Sequence, residues 1–217
     1  MPEFVSPAAE AHFQYGSAEH QAKTSLAGMW LFLATELLFF GALFYLWLLL
    51  RFWHPDGFVA AAHDTDLLIG TINTVLLTTS SFLYWFALGE AKQGRGRQAL
   101  IAIGITAAIG LAFLVLKGLE WGEDIGKGKL PGQSFVATGP DPGGQHLFWL
   151  LYYAGTGLHG LHMLAGLVLL AWIARRIWRD GIEARSATPV EAVGLYWSFV
   201  DVVWINLYPF IYILDRR

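Results

Sequence analysis

The stretch MWLFLATELLFFGALFY, Met29–Tyr45, is almost wholly apolar and carries one acid, Glu36. It lies within a longer apolar run, Leu26–Leu50, long enough to cross about 30 Å of hydrocarbon as a helix. Four further windows match it: Leu67–Leu88, Ala99–Trp121, Leu147–Ile173 and Val193–Leu214. Backbone polar groups in lipid need internal partners, and these windows are too long and too continuously apolar for barrel strands. The expected fold is therefore all-α, a polytopic membrane bundle of five transmembrane helices. The expected division is a tail over 1–25, one membrane domain over 26–214 and a short tail over 215–217.

Composition agrees. Of 217 residues, 55% are hydrophobic and 14% charged, against about a quarter charged in soluble domains. The charges are confined to short segments between the windows. A net charge of -3 gives no sign of a nucleic-acid binder. With no cysteine, disulfides, thiolate metal sites and cysteine catalysis are excluded. The polar, acid-bearing start lacks the basic opening and short apolar core of a cleaved signal peptide. Eight cations (Lys23, Lys92, Arg95, Arg97, Arg175, Arg176, Arg179, Arg185) fall on one side, against Arg51, Lys127, Lys129, Arg216 and Arg217 on the other. This bias predicts a cytoplasmic N-terminus and a periplasmic or external C-terminus. In RFWHPDG, Pro55 is expected to end the first helix, and the Gly- and Pro-rich Gly122–Gln145 reads as an irregular outer connection.

Polar residues inside the windows are the candidates for function. An unpaired ionised carboxylate at the depth of Glu36 is costly, so it must be protonated, hydrogen-bonded or wetted. It is read either as a structural contact gluing helices or as a group tied to proton entry. Asp201, in YWSFVDVVWINLYPFIY, is read as a packed, hydrogen-bonded acid or a group in proton movement, with Ser198 on its helix face. His159 and His162 stand three apart and form a polar edge with Thr156. Two imidazoles at that spacing suit a metal, but no further ligand stands at matching depth, and nearby glycines favour a packed interface. Lys117 and Glu120 are expected to form a structural ion pair near the outer surface. Asn73 gives the second helix a polar face suited to a bundle interior or a lipid site. Arg95 and Arg97 suit anionic headgroups or a purely topogenic role. No nucleophile–base set, phosphate loop or redox-metal site is visible, which points to an accessory role in a complex.

Five motifs in order, GMWLFLATELLFFGALFY (Gly28–Tyr45), NTVLLTTSS (Asn73–Ser81), LKGLEW (Leu116–Trp121), GTGLHGLHMLAG (Gly155–Gly166) and YWSFVDVVWINLYPFIY (Tyr196–Tyr212), resemble subunit III of the haem–copper terminal oxidases, the cytochrome c oxidase type in particular. The resemblance implies an accessory respiratory-chain subunit in the bacterial inner membrane that itself binds no haem or copper. Those groups belong to its partners: catalytic subunit I, which reduces oxygen and pumps protons, and a copper- or quinol-side subunit II. It implies stabilisation of subunit I, support of proton uptake, and bound phospholipid in a cleft. Glu36 matches the family glutamate that reacts with a hydrophobic carbodiimide, and His159, His162, Glu120 and Asp201 fall on motif positions. Two departures stand out. Larger members have seven spans, so small subunits or a larger respiratory assembly are expected to supply the missing helices. Ser198 stands where the family often has His, and a hydroxyl cannot replace an imidazole as ligand. The alternatives are a quinol oxidase subunit III and the accessory protein of a nitric-oxide reductase system.

Overall fold

The computed structural model describes residues 17–181 and 187–216. Arg185 and Arg217, counted above, lie outside the described residues, as does most of the expected N-terminal tail. Six α-helices follow in order: α1 (Ala18–Trp53), α2 (Pro55–Asp64), α3 (Leu67–Lys92), α4 (Gly96–Gly126), α5 (Pro142–Asp180) and α6 (Thr188–Tyr208). A π-helical turn, Pro209–Ile213, ends the last. All but α2 are long and apolar enough to cross a membrane. The described residues are thus all-α, a polytopic membrane bundle with five helices long and apolar enough to span, as hydropathy predicts.

Helices α1, α4 and α5 outrun their apolar windows at both ends and α3 at one, because the window marks hydrocarbon and the helix continues into the headgroup layer. The 39 residues of α5 measure about 58 Å at 1.5 Å each. Local chemistry sets the ends. Ser17 caps α1 by accepting from the His20 amide at 3.1 Å, and Asp66 caps α3 through the Ile69 amide at 3.0 Å. Asp141, in a left-handed conformation at φ 52°, caps α5 through the Gly144 amide at 2.9 Å. Pro209 lacks the amide hydrogen that α6 needs to continue, and Leu214 instead donates to the Pro209 carbonyl at 2.8 Å.

Pro55 does end α1, but it also opens α2, since its missing hydrogen is harmless in a first helical turn. The expected irregular connection over Gly122–Gln145 shrinks to 127–141, because α4 and α5 run into it from both sides. Those residues are tied down. Lys129 is buried and donates to Asp64 Oδ2 at 2.6 Å and to Thr138 Oγ1 at 2.9 Å. Gln145 accepts from the Thr138 amide and donates to the Pro140 carbonyl.

The deepest packing surrounds α6, which lies against α3, α5 and α1, while α4 closes the ring between α3 and α5. Lipid tails are as apolar as leucine, so close van der Waals fit must hold the helices together. Trp197 supplies it on α6. Its indole lies in a slot between Gly110 and Gly166, where an added Cβ would come within 2.7 and 2.9 Å of the ring. Its Nε1 donates to Ser80 Oγ at 3.0 Å. By contrast α1 lies mainly against α5, α6, α2 and the terminal π-turn, and much of its apolar surface, including Leu31, Leu38 and Phe52, is left outward.

Candidate functional site

Two polar clusters lie inside the bundle. The first joins α1 to α5. The carboxyl of Glu36 and the ring of His162 face each other, Oε2 to Nε2, at 3.1 Å. The other ring nitrogen of His162, Nδ1, lies 2.8 Å from the Leu158 carbonyl one turn back on its own helix. Phe40 packs edge-on against the ring, and Tyr196 of α6 donates to the His162 carbonyl at 3.0 Å. Glu36 and His162 side chains are about one-fifth exposed in this single chain, so the carboxyl sits at the rim of the bundle rather than at its centre.

The second cluster lies deeper and towards the Asp141 end. Lys117 Nζ donates to Glu120 Oε2 at 3.1 Å, to the Tyr152 hydroxyl at 3.1 Å and to the Tyr212 hydroxyl at 2.8 Å. An ammonium has three hydrogens, and here each has an acceptor. Tyr212 donates to Glu120 Oε1 at 2.6 Å. Tyr152 stands 3.1 Å from Glu120 Oε1 and 3.0 Å from Asp124 Oδ2, linking the two acids. All five side chains are buried. Thus the Lys117–Glu120 ion pair belongs to a larger buried network drawn from α4, α5 and the terminal π-turn. A turn of sequence spacing revealed the pair. Asp124 was detectable too, four residues beyond Glu120 on the same face, whereas Tyr152 and Tyr212 come from distant segments and carried no such signal.

His159 lies one turn from His162 but faces elsewhere, packed against the rings of Phe113 at 5.4 Å and Trp204 at 5.1 Å. Both its nitrogens are buried without a hydrogen-bond partner, as are both side-chain polar atoms of Asn73 on α3. The two imidazoles therefore do not converge on one point. Among the described residues, no group of three or more His, Asp or Glu is placed to hold a metal ion. Asp201 is buried, with Oδ1 unpartnered and the Ser81 hydroxyl of α3 beside it. One turn away Ser198 accepts from Trp85 Nε1 at 2.9 Å, so that face of α6 turns to α3. A groove of about 240 Å³ opens between α4 and α5, lined by Lys117, Trp121, Thr156, Gly157 and Leu161 among others.

At the connecting ends, Arg95 is engaged by Glu90 through two guanidinium nitrogens, which holds its charge on more firmly. Arg97 is exposed and makes no ion pair with a described residue. At the opposite end, the Gly144 amide and then His54, 2.9 Å away, hold the Asp141 carboxyl below the usual carboxylate range.

The comparisons with known proteins agree with this architecture. The family model described as cytochrome c oxidase subunit III matches residues 6–216. A cytochrome c oxidase subunit 3 of Thermostichus vulcanus is 34% identical over 194 residues, 87% of each chain. A cytochrome bo(3) ubiquinol oxidase subunit 3 of Pseudomonas aeruginosa is 27% identical over 210 residues, 97% of this chain and 94% of that one. A heme-copper oxidase subunit I+III of Aeropyrum pernix is 29% identical over 199 residues, 87% of this chain but 22% of that one. This chain belongs to the cytochrome c oxidase subunit III family.

Proposed function

We propose that this chain is the accessory membrane subunit of a cytochrome c oxidase-type complex. It covers a lateral face of a catalytic subunit I that holds the haem and copper, reduces oxygen and pumps protons. The observation that carries this reading is the Aeropyrum relative, whose name joins subunits I and III in one chain. Fusion is tolerated where two parts already lie side by side. The outward apolar face of α1 is suited to such a neighbour, to helices of a further subunit, or to lipid.

In this reading the chain chiefly keeps subunit I intact. Its tight helix packing presents a rigid wall, and Glu36 with His162 places a carboxyl at the rim of that wall, where it supports proton uptake. Asp201 and the Lys117–Glu120 network hold the bundle together. Arg95 and Arg97 mark the cytoplasmic side, with residues 1–25 as the cytoplasmic tail, 26–214 as the membrane domain and 215–217 outside. Phospholipid acyl chain fits the groove between α4 and α5, whose Gly157 and Gly160 leave room near the surface. Asn73 and His159 are packing residues of the interior.

Deleting the chain from the native complex tests the role. Faster inactivation during turnover and weaker proton uptake are expected. Unchanged turnover, inactivation and pumping would overturn it. The Pseudomonas relative supports a second reading, a quinol oxidase, because it is matched over nearly its whole length. Gentle purification with identification of partners and a reduced-minus-oxidised haem spectrum separates the two. A binuclear copper subunit with a-type haem supports the first, and a quinol-side subunit the second.

A further inference from the structure

The buried network around Lys117 has more oxygen contacts than its phenols can fill with hydrogens. The Tyr212 hydroxyl meets Glu120 Oε1 at 2.6 Å, the Tyr152 hydroxyl meets the same oxygen at 3.1 Å, and Tyr152 also meets Asp124 Oδ2 at 3.0 Å. Each phenol brings one hydrogen. The ammonium hydrogens of Lys117 are already directed at Glu120 Oε2, Tyr152 and Tyr212. With both acids ionised, one of the three contacts would set a phenol lone pair against a carboxylate lone pair. A carboxyl hydrogen removes that conflict.

Charge balance calls for the same hydrogen. Lys117 stands against two carboxyls, Glu120 and Asp124, and all three side chains are buried. Two carboxylates with one ammonium would leave a net negative charge away from water, which is costly. One added proton makes the cluster neutral.

We propose that Glu120 and Asp124 hold one proton between them through the Tyr152 hydroxyl, and that it rests on Asp124. This goes beyond the accessory role and does not depend on it. Lys117 lies 3.1 Å from Glu120 and reaches Asp124 only by way of Tyr152, so the negative charge belongs on Glu120. Every contact then has its hydrogen. Asp124 donates to Tyr152, Tyr152 and Tyr212 both donate to Glu120 Oε1, and Lys117 donates to its three acceptors. Moving the proton to Glu120 reverses two bonds and breaks none: Glu120 donates to Tyr152, and Tyr152 donates to Asp124. Losing it altogether removes one bond and leaves the cluster charged.

The surroundings supply no second cation, among the described residues. On α4, Lys127 is exposed and turned to Glu123 at 3.8 Å. In the connection that follows, Lys129 is held by Asp64 at 2.6 Å. On α5, Tyr153 stands near Asp124, but its hydroxyl bonds to neither acid. From α6 the Trp204 ring lies 5.4 Å from the ammonium. From α3 the Tyr212 ring meets Gly70, which brings no side chain.

The test is isotope-edited infrared spectroscopy of the whole purified complex at neutral pH. The carbonyl stretch of a protonated carboxyl is separate from the stretches of a carboxylate. Spectra with and without carbon-13 at the aspartate carboxyl isolate the aspartates, and comparison with Asp124→Asn isolates Asp124. A protonated-carboxyl band that shifts in deuterium oxide is expected in wild type and should be lost in the variant. The amide of Asp124→Asn donates to Tyr152 as the acid does, so the network is kept, and Asp124→Leu serves as a second, apolar replacement. The same comparison with carbon-13 glutamate reads Glu120. Its carboxylate bands are expected in wild type and should be lost in Glu120→Gln. Carboxylate bands for Asp124 would overturn the proposal, and so would a protonated band assigned to Glu120 in its place.

Discussion

Replacing Lys117 by Met removes the only cation from a buried network and leaves its acids behind. Lys117 and Glu120 side chains are 7% and 2% exposed, so water cannot reach either to compensate. After the change, Glu120 keeps the Tyr212 hydroxyl at 2.6 Å and shares the Tyr152 hydroxyl with Asp124, but three ammonium hydrogen bonds vanish together. Removing one partner of such a pair costs about 3–5 kcal/mol. Glu120→Gln should cost a similar amount, because it strands the ammonium. The double variant Lys117→Met/Glu120→Gln should be no worse than the worse single, since neither stranded charge remains. The assay is thermal release of this subunit from the purified complex, read for both singles and the double as a mutant cycle. Lys23→Met, at the exposed pair with Glu19, serves as control and should change nothing measurable. If each single costs under about 1 kcal/mol, or the double equals the sum, the network is not an interdependent buried pair and the reasoning fails.

Four further outcomes follow from the packing and the caps. Gly166→Ala places a Cβ 2.9 Å from the Trp197 ring, which Ser80 holds in place, so a loss of about 1–3 kcal/mol is expected in the same assay. Gly160→Ala on the same helix meets nothing within 4 Å and should leave stability unchanged, unless a partner occupies that face. Ser80→Ala deprives the buried Trp197 Nε1 of its acceptor and should cost about 1–3 kcal/mol. Asp141→Asn tests the α5 cap by pH. The folded carboxyl titrates below its unfolded value, so its charge stabilises the fold above that value, and the gain disappears as pH falls through the folded one. Asparagine tolerates the left-handed backbone and still accepts from the Gly144 amide. The melting difference between wild type and variant should therefore be present at neutral pH and fade in acid. A difference that persists unchanged into acid would refute the electrostatic part.

What the sequence disclosed and what it hid divide along a physical line. A membrane span advertises itself because about twenty consecutive residues must be apolar, and that demand is local. The α2 helix made no such demand: PDGFVAAAHD is ten residues long, and its burial under α5 depends on Gly57 meeting Gly144 across the fold. Residues that break a local rule were also visible. Glu36 and His162 each stood out as polar in an apolar run, yet lie 126 positions apart. That they meet depends on how far α1 and α5 rotate and slide against one another, which hydropathy does not encode. Rotation is set instead by close contacts such as the Trp197 slot, made of glycines on two different helices. A single sequence therefore names the candidates for chemistry in a membrane bundle, and the packing of its small residues decides which of them become partners. Here that packing brings the rim carboxyl of Glu36 to the imidazole of His162, whose other nitrogen already faces a carbonyl of its own helix, so the contact is a product of the fold and not of either residue alone.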